Sequence, residues 1–217
     1  MSSMNHPNLI KTLQTCTLGH KIFIVMPLME GGSLHSILSY KYPSGIKDEK
    51  IIATIMKICL ETLSYLHSKK YMHRDIKAGN ILIGKDGSVK LGDFGVATKV
   101  KKEAKKKSFV GSCCWMPPEV ISCEGYDYKF DIWSLGIIMY YFFYDKFPFE
   151  YDNNITNICD VLQLFKKDIY FPEDKKCSNE FKELIINTLK YDIKERFDIY
   201  QVIHHIEKIF HKKENLK

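Results

Sequence analysis

The sequence predicts an α+β domain, with two strands near the N-terminus followed by a mainly helical body. Three observations predict it. Apolar positions recur at intervals of three and four through Ile51, Ile52, Ile55, Ile58, Cys59, Thr62, Leu63 and Leu66, the period of a helix buried along one face. Ile132 to Tyr144 is an almost unbroken apolar run, as in a helix enclosed on every side. Segments 9–18 and 21–28 are rich in β-branched residues and flank Leu18-Gly19-His20-Lys21, where Gly19 supplies the turn of a hairpin.

The remaining elements follow in order. Met29-Glu30-Gly31-Gly32 breaks the strand pattern, and Ser33 is placed to cap a short helix over 33–40. Tyr42-Pro43-Ser44-Gly45 reads as a loop, and the long helix starts at Asp48 and runs to 68. Residues 71–95 suggest short strands separated by turns, with Asp86-Gly87 the clearest turn signal. From Trp133 onward the chain reads as helical, with breaks at Phe147-Pro148 and near Phe171-Pro172.

Composition narrows the class. The chain has 217 residues, enough for one domain with a sizeable core, and its 45% hydrophobic and 27% charged content is that of a globular protein. A net charge of +6 favours anionic ligands such as nucleotides but is too diffuse to demand nucleic acid. The seven cysteines include no Cys-x-x-Cys pair, which argues against a zinc site. Residues 1–20 lack a charged start followed by an apolar run, so a reducing, cytoplasmic setting is expected. The apolar run of 132–144 is 13 residues long, whereas a membrane span needs about 20. A buried core helix is the expectation. The lysine-rich stretch from Lys99 to Lys107 is read as a solvated loop rather than a nuclear signal or nucleic-acid patch. Docking of an acidic partner is a third reading of it.

The chemistry lies in three motifs. His73-Arg74-Asp75-Ile76-Lys77-Ala78-Gly79-Asn80 is followed, 13 residues after Asn80, by Asp93-Phe94-Gly95 and then by Trp115-Met116-Pro117-Pro118-Glu119. Phosphoryl transfer needs a group that orients the attacking hydroxyl, cations that neutralise phosphate charge, and ligands for those cations. Asp75 suits the first role, since a carboxylate on a rigid loop can accept the hydroxyl proton. Lys77 can neutralise charge on the transferring group. Asn80 and Asp93 offer the hard oxygen ligands magnesium prefers. A lone Asp or Asn in a turn is usually only a turn former. The joint pattern at these spacings points the other way.

These motifs, in this order, make residues 5–210 resemble the second half of a serine/threonine protein kinase domain. Lys77-Ala78-Gly79-Asn80 and Cys114-Trp115-Met116 are similar to the sterile-20-like group. Ile52-Ala53-Thr54-Ile55 and Asp86-Gly87-Ser88-Val89 are similar to its oxidative-stress-responsive, Fray-like subfamily. The resemblance implies a kinase-like fold: 1–28 a remnant of the upper lobe, 29–32 a hinge, 33–217 the helical lobe. It implies ATP and Mg2+ as cofactors, a protein substrate and an upstream activating kinase.

The resemblance also implies further roles. His73 and Phe94 would stack in a hydrophobic spine. Met26 would stand behind the adenine, Leu82 beneath it, and Pro27-Leu28-Met29 would offer a carbonyl and an amide to its edge. Asp131 would begin the buried helix and brace the catalytic loop. Glu119 and Arg196 would form an ion pair. Residues 96–119 would be the activation segment, with Ser108 a phosphorylation site, Arg74 its phosphate partner, and Ser112 a brace for Asp75. Pro117 and Cys113 depart from the family pattern near the peptide-binding ledge, which leaves substrate preference open.

No Gly-x-Gly-x-x-Gly and no Val-Ala-Ile-Lys-like strand precedes Asn5-His6-Pro7-Asn8. Lys11 and Lys21 lie in the wrong elements to replace that strand lysine. Met1 is accordingly expected to be an internal methionine of a longer protein, with a genuinely short protein as the alternative. The second functional class in view is a non-catalytic binding module that kept the docking surface.

Overall fold

The computed structural model describes residues 4–100, 113–149 and 158–211. Strands β1 (Gln14–Leu18) and β2 (Lys21–Val25) form the expected antiparallel hairpin, with Gln14 opposite Val25 and Leu18 opposite Lys21. Gly19 turns it at φ +58°, a conformation glycine adopts without steric cost. The hairpin starts later than the β-branched pattern suggests. Leu9 and Ile10 are instead buried beside Leu91, with Ile10 N–H donating to the Leu91 carbonyl at 2.9 Å. Every residue of both strands is exposed, Leu18 at 74% and Ile22 at 69%.

A small sheet follows. β3 (Gly32–Ser33) pairs with β5 (Ile81–Ile83), which pairs with β6 (Val89–Leu91), all antiparallel. The two-residue β3 lies within the stretch read as a break, being too short to carry a pattern. Ser33 then caps helix α1 (Leu34–Lys41), its hydroxyl accepting from Ser36 N–H. Asp48 caps α2 (Glu49–Ser68) by accepting from Lys50 N–H at 2.9 Å. That helix buries Ile52, Met56, Leu60 and Leu63 completely or nearly so, while Ile51, at the edge of the apolar face, stays 43% exposed. β4 (Tyr71–Met72) pairs with β7 (Thr98–Lys99) and ties the end of α2 to the segment after Gly95.

Helix α4 (Lys129–Tyr144) is the axis of the core, buried from Phe130 to Tyr140. It starts at Lys129, two residues before Asp131, correcting the expectation that Asp131 begins it; Asp127 Oδ1 accepts from Lys129 N–H there. Helices α2 and α6 (Asn179–Thr188) pack on α4, α7 (Ile199–His211) packs on α2 and α6, and α5 (Ile158–Leu164) packs on α3 (Pro118–Ile121). The breaks at Phe147-Pro148 and Phe171-Pro172 fall between helices, as expected. Trp133 lies parallel to Phe149, and the Arg196 guanidinium sits 4.9 Å from its ring centre. Its buried indole N–H has no acceptor among the described residues.

Arg196 also ties α3 to the C-terminal helices. Its two terminal nitrogens donate to the two Glu119 oxygens at 2.7 and 2.9 Å, with both side chains buried. Losing one partner of such a pair strands a buried charge. Arg196→Gln is therefore expected to lower stability by about 3 kcal/mol. Urea unfolding measures it, and a loss below about 1 kcal/mol would mean the pair is screened like a surface bridge.

Candidate active site

The catalytic-loop segment hangs from the core helix. Asp131 is wholly buried and accepts three hydrogen bonds: His73 N–H (3.1 Å) and His67 Nε2 (2.9 Å) on Oδ2, and Arg74 N–H (2.9 Å) on Oδ1. Burial alone would raise its pKa. The hydrogen bond and charge of His67 and the Arg74 amide outweigh that and hold it below the ordinary carboxylate value. This anchor helps keep Arg74 in the left-handed region at φ +68°, which a non-glycine residue adopts only when its surroundings fix it.

His73 is fully buried, which lowers its pKa and keeps the ring neutral. A single tautomer satisfies its contacts: Nε2–H donates to the Gly92 carbonyl at 3.0 Å, and Nδ1 accepts from Asp75 N–H at 3.3 Å. Its ring meets Phe94 with centres 4.9 Å apart. One imidazole thus joins the segment around Asp75 to the segment around Asp93.

The polar residues converge beyond it. Asn80, closing the 3-10 turn Ala78–Asn80, donates from Nδ2 to the Asp75 backbone carbonyl (2.8 Å) and to Asp75 Oδ2 (2.9 Å). Lys77 Nζ lies 2.8 Å from the same Oδ2. Asp75 is thus held from two sides, and both bonds to Asn80 use its nitrogen, leaving the amide oxygen as a ligand. Asp93 takes φ +55°, with Oδ1 accepting from Gly95 N–H at 3.1 Å, and is exposed.

A cleft of about 680 Å³ opens beside these groups. Ile24, Met26 and Leu82 are among its apolar lining, and Asn80 and Asp93 are among its polar lining. Pro27 and Met29 do not line it; Met29 instead accepts from Gly32 N–H at 2.9 Å. The donor set fits a nucleotide with a hard divalent cation: apolar walls for a ring system and two oxygen-bearing side chains for the ion. Among the described residues no group of three or more His, Cys, Asp or Glu side chains could hold a metal. A cation here would complete its shell with phosphate oxygens and water, as magnesium commonly does.

Arg74 has other partners besides Asp131. Its Nε donates to the Val96 carbonyl at 2.7 Å, its Nη2 donates to the same oxygen, and its Nη1 donates to Tyr126 Oη at 2.9 Å. Ser108 and Ser112 lie outside the described residues. Three contributors escaped sequence reasoning: His67, Tyr126 and Lys129. The last spans the C-terminal loop, its Nζ donating to the carbonyls of Ile193 (2.8 Å) and Arg196 (2.6 Å). None carries a local signal, since each meets its partner across more than fifty residues.

The family description "Protein kinase domain" matches residues 1–206, and the chain belongs to this family. Within it, the similarity runs to sterile-20-like kinases of the Fray and PAK types. The serine/threonine-protein kinase fray1 of Dictyostelium discoideum is 38% identical over 209 residues, covering 94% of this chain and 36% of its own length. Fray2 of the same organism is 34% identical, covering 90% of this chain and 19% of its own length. The serine/threonine-protein kinase PAK 1 of Mus musculus is 34% identical, over 94% of this chain and 37% of its own length. The chain thus spans roughly a fifth to somewhat over a third of the curated relatives it matches. No described helix is long and apolar enough to cross a membrane.

Proposed function

We propose that these residues carry the catalytic half of a cytoplasmic serine/threonine protein kinase that uses ATP and Mg2+ to phosphorylate proteins in a signalling cascade. One observation carries the reading: Asp75 Oδ2 is gripped by Lys77 and Asn80 at 2.8 and 2.9 Å, beside a cleft whose polar lining includes Asn80 and Asp93. Asp75 orients a substrate hydroxyl and takes its proton as the oxygen attacks phosphorus. Lys77 exchanges its Asp75 contact for the transferring group and offsets its charge. Asn80 Oδ1 and Asp93 would hold Mg2+, which when bound supplies the positive charge that neutralises the phosphates. The reading is tested by phosphate transfer to a basic Ser-containing protein from a polypeptide that contains these residues and a complete nucleotide lid. Transfer that persists unchanged in Asp75→Asn would overturn it.

We further propose that an upstream kinase acts on Ser108 and that Arg74 grips the phosphate. In support, Arg74 already reaches the Val96 carbonyl, at the start of the segment that leads to Ser108. A phosphate there would compete for the same guanidinium and order 96–112. Phosphopeptide mapping of active protein is expected to find phosphoserine 108, with activity reduced at least about tenfold in Ser108→Ala. Full activity in that variant would refute the assignment.

A non-catalytic binding role has one observation in its favour, the exposed apolar hairpin of 14–25. Undetectable magnesium-nucleotide binding by the lid-bearing polypeptide would select it.

A further inference from the structure

A second cavity, of about 400 Å³, lies between the end of α2, the start of α4 and the start of α7. Its apolar lining is Ile132 and Ile199; its remaining lining includes His67, Asp127, Tyr128, Asp198 and Tyr200. Among the described residues the two carboxylates each use only one oxygen. Asp127 Oδ1 accepts from Lys129 N–H, and Asp198 Oδ1 accepts from the N–H groups of Tyr200 and Gln201 at the head of α7. Neither forms an ion pair among the described residues. Of the basic groups in the wall, Lys129 donates to main-chain carbonyls and His67 is bonded to Asp131. The lining therefore combines two carboxylates, two tyrosines and apolar side chains.

That combination selects a planar cation on an apolar stem. A guanidinium stacks on a tyrosine face and presents paired N–H groups to carboxylates; an ammonium has no plane to stack. We propose that this cavity binds an arginine side chain of a partner protein. The charge complementarity of Asp127 and Asp198 and the two aromatic walls specify it.

The site is coupled to the catalytic loop by a shared oxygen. His67 lines the cavity and bonds Asp131 Oδ2, and His73 N–H bonds that same oxygen. Tyr128 holds the His67 ring with centres 4.6 Å apart. A guanidinium seated against this aromatic pair immobilises His67, hence Asp131, hence the amides of His73 and Arg74. The inference does not depend on phosphate transfer, so its test can fail while the kinase reading stands, and the reverse.

The probe is Nα-acetyl-arginine amide, added to the dilute chain, with hydrogen exchange followed by mass spectrometry. Exchange at 73–74 and 127–132 is expected to slow saturably below about 10 mM, the range of a single weakly held side chain. The citrulline analogue, the same shape without charge, should have no effect. Asp127→Asn with Asp198→Asn keeps a side-chain acceptor at both positions and preserves the caps. It should raise the half-saturating concentration at least about fivefold. Tyr200→Ala, at a side chain 74% exposed, removes one stacking wall without touching the core and should weaken binding in the same direction. No change in exchange, an equal response to citrulline, or unaltered binding in these variants would each overturn the proposal.

Discussion

Asp75→Asn is expected to lower kcat by roughly a thousandfold in a lid-bearing, active form of this kinase, while nucleotide affinity moves by less than about threefold. The split follows from geometry. Asp75 does not line the nucleotide-sized cleft, whereas Asn80 and Asp93 do. Its side chain is 10% exposed, with one oxygen shared by Lys77 and Asn80. An amide keeps the bulk but accepts a proton poorly, so the loss belongs to the transition state and not to the bound nucleotide. Asp93→Asn should behave differently. The metal loses its anionic ligand, so both kcat and magnesium-nucleotide affinity should fall, with transfer down about a thousandfold or more. Steady-state kinetics with magnesium and ATP varied independently separates the two. If either variant transfers at the parent rate, the assignment of these carboxylates is wrong.

The sequence makes some of this visible because the relevant groups are neighbours along the chain. His73 through Asn80 is one continuous segment, and Asp75, Lys77 and Asn80 meet within a single turn. Helix starts are legible for the same reason: Ser33 and Asp48 bond amides two or three residues ahead. The apolar run of 132–144 reveals its burial because no polar stripe interrupts it. What stays hidden is set at long range. His67 is 64 residues from Asp131, and Tyr126 is 52 from Arg74, with no period to link them. β3 and β7 are two residues long and exist only because β5 and β4 stand beside them. The late start of β1 is a tertiary effect as well, since Leu9 and Ile10 leave the hairpin to pack beside Leu91. A β-branched pattern cannot distinguish a strand in a hairpin from an extended segment drawn into another sheet.

The chain of residues 1–217 by itself is expected to bind magnesium-nucleotide weakly, to transfer almost no phosphate, and to self-associate. The hairpin decides this. Two strands alone are marginal in water, and both of these expose every residue. Register places Cys16 opposite Phe23, with Leu18 and Val25 on the same side, and Ile22 and Ile24 on the other. Ile24 and Met26 line the cleft, so that wall of the nucleotide site is only as rigid as the hairpin. Each face thus carries an exposed apolar patch that water does not favour, with Leu18 at 74% and Val25 at 45% on one and Ile22 at 69% and Ile24 at 56% on the other. Chains in contact can bury such a patch mutually, and unpaired strand edges offer further hydrogen bonds. Above the cleft, no described residue supplies backbone amides or a lysine to the phosphates, so nucleotide charge on that side is left to water. Fusing the upper lobe of a related kinase ahead of Asn5 would cover the outer hairpin face and roof the cleft. Affinity, transfer and monomeric behaviour should then recover together, because one missing surface is responsible for all three losses. Calorimetric nucleotide titration, phosphate transfer and light scattering on both polypeptides make the comparison. Robust transfer by monomeric 1–217 would show that the open hairpin forms a working nucleotide site without a covering lobe.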